Sequence, residues 1–211
     1  MDTVSLEGST HVVVDFFEYC VNSILYQRGI YPKEDFSVKN KFGIPLFVTH
    51  NPELKAYINQ IIEQVRVWLR TNKLSKLVLV IKQKDTGETL ERWMFDIQVD
   101  KTAQEPSQMN ERQAEEQDES NILSQDTKRQ IRAIMRQISA SVTFLPDLED
   151  QDCTFNVLVH TDKDVEFPST WGDSDPHLIR GGGEHMRLKS FATSAHKVTT
   201  IIAYKRDEED F

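Results

Sequence analysis

The chain has 211 residues, with 25 Lys and Arg against 34 Asp and Glu and a formal net charge of −9. That balance speaks against nucleic acid as the main ligand, because proteins that track phosphates gain affinity from clustered cations that release counterions. Hydrophobic residues make up 38%, with 11 Phe and 3 Trp, enough for the core of one large domain.

The two cysteines, Cys20 and Cys153, are too few for a disulfide framework. No apolar run approaches the about 18–20 residues that span a bilayer. Met1 to Gly8 lacks the basic start and apolar stretch of a signal peptide. The expectation is a reduced intracellular compartment, cytosol or nucleus.

Apolar residues recur at helical steps from about Val12 to Arg28, with Val13, Phe16, Phe17, Cys20, Val21, Ile24 and Leu25 on one stripe. Ser9 or Thr10 is placed to cap its start, Gly29 stands where a left-handed stop belongs, and Pro32 keeps the helix from resuming. A second helix opens with Asn51 as N-cap, Pro52 in its first turn and Glu53 against the dipole. Leu54, Tyr57, Ile58, Ile61, Val65, Trp68 and Leu69 form its apolar face.

After Asn72 the period changes. Leu77 to Ile81 is an apolar run of strand length, Asp85-Thr86-Gly87 supplies a turn, and Thr89 to Val99 alternates. Glu91, Trp93, Phe95, Ile97 and Val99 share one side, and Arg92, Met94 and Asp96 the other. This reads as an antiparallel hairpin. Residues 104–126 hold seven acidic residues, one Arg and five Gln, and so lack the apolar surface to offset their ordering entropy. They read as a mobile loop inside a single domain.

A third helix is expected from Asp126 to Leu145, with Ile131, Ile134, Met135, Ile138, Val142 and Leu145 inward and Pro146 as its stop. Phe144 falls off that stripe. Thr154 to Thr161 alternates again. Residues 162–185 have little periodicity yet contain Phe167, Trp171 and Gly181 to Gly183, before strand patterns return at Met186–Ser194 and Lys197–Lys205. An aperiodic stretch of more than about 15 residues within a compact domain is usually functional or disordered. An acidic tail, 206–211, closes the chain. Helices segregated onto an antiparallel sheet make the expected class α+β.

Catalytic and metal signatures are thin. Gly181-Gly182-Gly183 lacks the Lys-Ser/Thr of a phosphate loop and does not open a helix, so it reads as a hinge. The six histidines are scattered, with no spacing that puts metal ligands on one face. Asp162 and Asp164 offer a carboxylate pair for an α+β hydrolase only if their environments push the two pKa values apart; otherwise they are turn formers. No metal, cofactor or catalytic residue is expected.

One run, Asn22 to Pro32 (Asn-Ser-Ile-Leu-Tyr-Gln-Arg-Gly-Ile-Tyr-Pro), resembles the HORMA-domain family. Further matching blocks are Glu91-Arg92-Trp93 with Phe95-Asp96-Ile97, Asp100 to Ala103, Arg136-Gln137-Ile138 and Val142 to Pro146. Later come Thr161 to Asp164, Arg187 to Phe191, His196-Lys197-Val198 and Ala203-Tyr204-Lys205. The blocks are collinear over nearly the whole chain. They resemble the spindle-checkpoint members of the family more than its translesion-polymerase adaptors, which share Tyr-Pro but lack this Gln-Arg-Gly-Ile.

The resemblance implies one domain over 1–205, with a core at 10–161 and a mobile C-terminal "safety belt" at 162–205. In an open state the belt pairs over the ligand site; in a closed state it crosses the sheet and encloses a short peptide. The implied peptide-binding edge is Phe155, Asn156, Val157, Leu158, Val159 and His160. The implied belt residues are Trp171, Phe191, His196, Val198 and Tyr204, and the implied dimerisation residues Arg136, Gln137 and Phe144. Implied partners are the kinetochore checkpoint scaffold, the activator of the anaphase-promoting complex and the kinase-like subunit of the mitotic checkpoint complex. A HORMA-remodelling AAA ATPase with its adaptor, and a second copy of the chain as an open–closed dimer, complete them. The implied location is nucleus, kinetochore, nuclear envelope region and cytoplasm. The alternative is an adaptor in translesion repair or on the meiotic chromosome axis.

Overall fold

The computed structural model describes residues 6–99, 123–148 and 152–205. Helix α1 (Leu6–Gln27) is followed by strands β1 (Phe36–Lys41) and β2 (Ile44–Thr49), helix α2 (Pro52–Arg70), and strands β3 (Leu74–Gln83) and β4 (Thr89–Val99). Helix α3 (Gln125–Ala140) and strands β5 (Cys153–Thr161), β6 (Glu184–Ala192) and β7 (His196–Tyr204) complete the chain. Three helices and an antiparallel sheet give the α+β class. The main sheet runs β5-β3-β4-β7-β6, and β1 and β2 form a separate two-stranded hairpin.

The local rules explain most boundaries. Gly29 takes φ +64° after α1, and Asn51 Oδ1 accepts from the Glu53 and Leu54 N–H groups to start α2. Ser9 and Thr10 lie inside α1, fully buried, because the helix starts at Leu6; they do not cap it. The β1–β2 hairpin escaped the periodicity reading. Its turn is Phe42-Gly43, both at positive φ (55° and 77°), and glycine at the second position was the available signal.

The third helix ends earlier than its stripe suggests. The α-helix stops at Ala140 and tightens into a 3-10 turn over Ser141–Thr143. That turn rotates Val142 outward to 46% exposure, while Leu145 still reaches the core. At its start, Ser124 Oγ accepts from Thr127 N–H and α3 begins at Gln125, so residues 123–126 belong to the helix and its cap. The rest of the acidic loop, and the tail at 206–211, lie outside the described residues.

The core lies between the helices and one face of the sheet. Leu77, Leu79 and Ile81 of β3, Trp93 and Phe95 of β4, and Val198 and Ile202 of β7 are fully buried on that face. Helix α1 lies across them. Phe16 and Phe17 meet Phe95 edge to face, at 6.0 and 5.5 Å between centroids, and Phe16 meets Phe191 at 4.7 Å. Arg28, at the end of this layer, donates from Nε to Glu91 Oε1 at 2.8 Å, and Trp93 Nε1 donates to Glu91 Oε2 at 3.0 Å.

Candidate peptide-binding edge and belt

Strand β5 pairs with β3 from Cys153↔Gln83 to Thr161↔Leu74 and stands at the end of the sheet. No described strand pairs with its other side. A bare edge presents unpaired N–H and C=O groups and is a template for another strand. Between Cys153 and Thr161 there is no Pro or Lys to blunt it. Phe155 is buried, and Val157 and Val159, which share its face, are half-buried. Asn156, Leu158 and His160 face the other way; burial, with Lys76 and Arg92 nearby, pushes the His160 pKa down.

Aromatic side chains bracket this edge. At the Phe155 end, Tyr31 and Tyr57 meet the Phe155 ring edge to face at 6.2 and 5.6 Å. Burial raises both phenol pKa values, although Tyr57 remains 44% exposed. Tyr57 reads in sequence as part of the apolar face of α2; in the fold it leans toward the edge. At the Thr161 end, Trp68 of α2 meets Trp171 at 4.9 Å and Phe167 at 5.5 Å. These two rings pin the connector, residues 162–183, to the C-terminal end of α2.

The connector leaves β5 through a polar clasp. Asp162 N–H donates to the Lys73 carbonyl at 3.1 Å, and Lys73 Nζ lies 2.7 Å from Asp164 and 3.6 Å from Asp162. The hydrogen bond from Lys73 holds the Asp164 carboxyl below its ordinary pKa and raises the lysine. A general acid needs the opposite shift. Both aspartates are exposed and share one lysine, the environment of a chain exit. Among the described residues no group of three or more His, Cys, Asp or Glu side chains is placed to hold a metal ion.

The other end of the connector passes Gly181 and Gly182, at φ +77° and +82°, into β6. The β6–β7 hairpin then docks on β4, on the far side of the sheet from β5. Of the belt residues read from the sequence, Trp171 alone packs at the β5 end. Phe191, His196 and Val198 are buried beneath the helices, and Tyr204 OH donates to Glu184 at 2.8 Å. Helix α3 covers the outer edge of β6 with side chains. Gln137 Oε1 accepts from Lys189 N–H at 2.8 Å, Gln130 Oε1 from Ala192 N–H at 3.0 Å, and Thr127 Oγ1 donates to the Ala192 carbonyl at 2.9 Å.

The three residues implied in dimerisation separate accordingly. Arg136 is exposed and Phe144 is 38% exposed, so both present surface at the end of α3. Gln137 is half-buried with its carbonyl committed to the hairpin. Sequence reasoning passed over Tyr31, Trp68 and Gln130 as site residues, because partners across the fold give them their roles and no spacing rule marks them.

The fold and this site define an α+β domain whose edge strand β5 has no described strand on its outer side, with a long C-terminal segment carried across the sheet. The HORMA domain model matches residues 9–196, and the chain belongs to that family, among its Mad2 spindle-checkpoint members. It is 47% identical to the mitotic spindle checkpoint component mad2 of Schizosaccharomyces pombe, covering 95% of this chain and 94% of that protein. It is 46% identical to the human mitotic spindle assembly checkpoint protein MAD2A, over 96% and 93% of the two chains. A chain in the crystal structure of the mitotic checkpoint complex superposes with a TM-score of 0.80 at 44% identity, covering 94% of this chain and 99% of that one.

Proposed function

We propose that the chain is a spindle-checkpoint adaptor that pairs a short extended peptide with the outer edge of β5 and closes residues 162–183 over it. The observation that carries this reading is the split in the C-terminal segment. The edge strand is bare while the hairpin that follows it is docked on β4. That is the arrangement the family resemblance describes as closed.

The chemistry is strand addition. Main-chain bonds along β5 hold the guest, and every second guest side chain enters the space between Val157, Val159 and the aromatic groups at either end. Each such bond contributes about 0.5–1.5 kcal/mol net, so six of them alone give a complex that exchanges quickly. A closed belt changes the rate of release, because the connector must first leave Trp68 and the hairpin must leave β4. Affinity differences within one interface reside mostly in that rate. Two packings of one sequence, close in free energy, supply the open and closed states.

On this reading the guests are peptides of the kinetochore checkpoint scaffold and of the activator of the anaphase-promoting complex, and capture of the activator delays anaphase. The kinase-like subunit of the mitotic checkpoint complex joins the assembly, and an AAA ATPase with its adaptor reopens the belt. A second copy pairs through Arg136, Gln137 and Phe144, without catalysis by this chain. Similarity to checkpoint proteins over the full length favours this reading over repair or meiotic roles.

Removal of the last ten residues tests the mechanism. It takes away Ile202, Ala203 and Tyr204, and with them the end of β7. Peptides of the scaffold or activator should then dissociate within the time of a gel-filtration run, whereas the intact chain should keep them. Equal retention by the truncated chain would show that the hairpin is not the lock.

A further inference from the structure

The hairpin is fastened to α1 by a small buried polar cluster. His196, 1% exposed, opens β7, and its Nδ1 lies 2.6 Å from the Oγ of Ser9, itself fully buried in α1. Ser9 Oγ lies 2.5 Å from Thr193 Oγ1 in the turn between β6 and β7. Thr193 Oγ1 in turn donates to the His196 carbonyl at 3.2 Å and accepts from the His196 N–H at 2.9 Å. The other ring nitrogen, Nε2, is buried with no partner among the described residues.

One proton arrangement satisfies this chain of groups. Nδ1–H donates to Ser9, Ser9 donates to Thr193, and Thr193 donates to the His196 carbonyl. Nε2 then carries only a lone pair, which costs less to bury than an orphaned N–H. A second proton on the ring would add a charge and a donor with nothing to accept it, both in a dry site.

We propose that the Ser9–Thr193–His196 cluster is a proton-sensitive latch, in which the C-terminal hairpin docks with neutral His196 and protonation releases it. The proposal rests on the belt reading above. Among the described residues no charged group bonds to the ring to offset protonation. Ser9 of α1 meets the ring, Thr193 of the turn holds the His196 backbone, and Val99 of β4 is its register partner across the sheet. Glu7 of α1 is engaged with Arg70, Asp126 of α3 with Arg129, and Lys197 is exposed. Burial lowers the pKa of the imidazole.

The sign follows from linkage. A histidine whose pKa is lowered in the docked state stabilises docking above its ordinary pKa and loses that contribution as pH falls below it. With the undocked histidine near 6.5, its protonation favours release by a factor of about 11 at pH 5.5 and about 1.1 at pH 7.5, so the shift toward release is at most about tenfold.

The test uses the full chain and a fluorescein-labelled 12-residue peptide, selected from a random display library for retention by the wild type at pH 7.5. Release from the wild type should be several-fold faster at pH 5.5 than at 7.5, up to about tenfold. His196→Asn places an uncharged amide N–H where Nδ1–H lies, and should make release nearly independent of pH. His50→Asn, at an exposed position outside the peptide edge and the hairpin, should leave the acceleration intact. An acceleration that survives His196→Asn, or none in the wild type, overturns the latch. Failure of the wild type to retain any peptide at pH 7.5 overturns the belt reading instead. The latch then rests on an NMR titration of the free chain: His196 should stay neutral below the ordinary range, and an ordinary midpoint refutes it.

Discussion

The buried Arg28–Glu91 pair invites a double-mutant cycle. Both side chains are almost wholly excluded from solvent, at 3% and 1% exposure. The pair joins the end of α1 to β4, and Arg28 Nη2 also donates to the Pro146 carbonyl beyond α3. Burial raises the Glu91 pKa even though Arg28 and the Trp93 N–H both favour the ionised form. Desolvation therefore outweighs attraction at the carboxylate. By the sign of that shift, the contribution of Glu91 itself is fully present at acid pH and falls as pH rises through its folded pKa.

A pair of this kind adds little over apolar residues of similar volume, whereas removing one partner strands the other charge and costs about 3–5 kcal/mol. Glu91→Leu and Arg28→Met should each destabilise the chain by that amount in urea unfolding at pH 7. For a domain of this size a loss of about 4 kcal/mol lowers Tm by roughly 8–16 °C. The double variant Arg28→Met with Glu91→Leu should lie within about 2 kcal/mol of the wild type, far less than the sum of the singles. Midpoints should move with the urea slope unchanged. Single losses that add in the double variant would refute the argument, because they would show two independent packing roles.

Two further outcomes probe the surface of the mechanism. Trp171→Ala removes the ring that pins the connector to Trp68; edge-to-face pairs contribute about 0.5–1.5 kcal/mol beyond their area, so bound peptide should leave about two- to tenfold faster, read by stopped-flow fluorescence, with global stability little changed. Arg136→Glu places the opposite charge on an exposed position of α3, and should abolish pairing of two copies in analytical ultracentrifugation while peptide capture persists.

The fold was legible where one local rule acted alone. The Asn51 cap, the Gly29 stop and the alternation from Thr89 to Val99 each reappear at the expected residues. The reading slipped where a tertiary partner overrode the local pattern. Ser9 has the chemistry of an N-cap, yet the helix extends past it because its hydroxyl bonds to the hairpin turn instead. Val142 keeps the helical period on paper, but the 3-10 turn over Ser141–Thr143 takes it off the stripe. Strand β5 itself was readable as a single alternating run, whereas its role as a peptide edge is implied by the family resemblance alone. Tyr31, Tyr57 and Trp68 were not readable as site residues, since each comes from a different place in the sequence and acquires meaning only from the ring it meets.

The same distinction bears on the proposed change of sides by the C-terminal segment. Strand β7 carries Val198, Thr200 and Ile202 on one face, a pattern that satisfies any sheet with an apolar layer beneath it. The pattern by itself does not choose β4 over another edge. The choice is made by groups that complement one location: Gln137 and Gln130 of α3 on the β6 backbone, Thr127 on the Ala192 carbonyl, and Ser9 on His196. Each is polar and individually modest, about 0.5–1.5 kcal/mol net. A handful of such bonds can decide between two dockings without making either permanent. A segment held by apolar burial that any edge could satisfy, and placed by a few replaceable hydrogen bonds, is suited to hold a guest for a long time and still be made to let go.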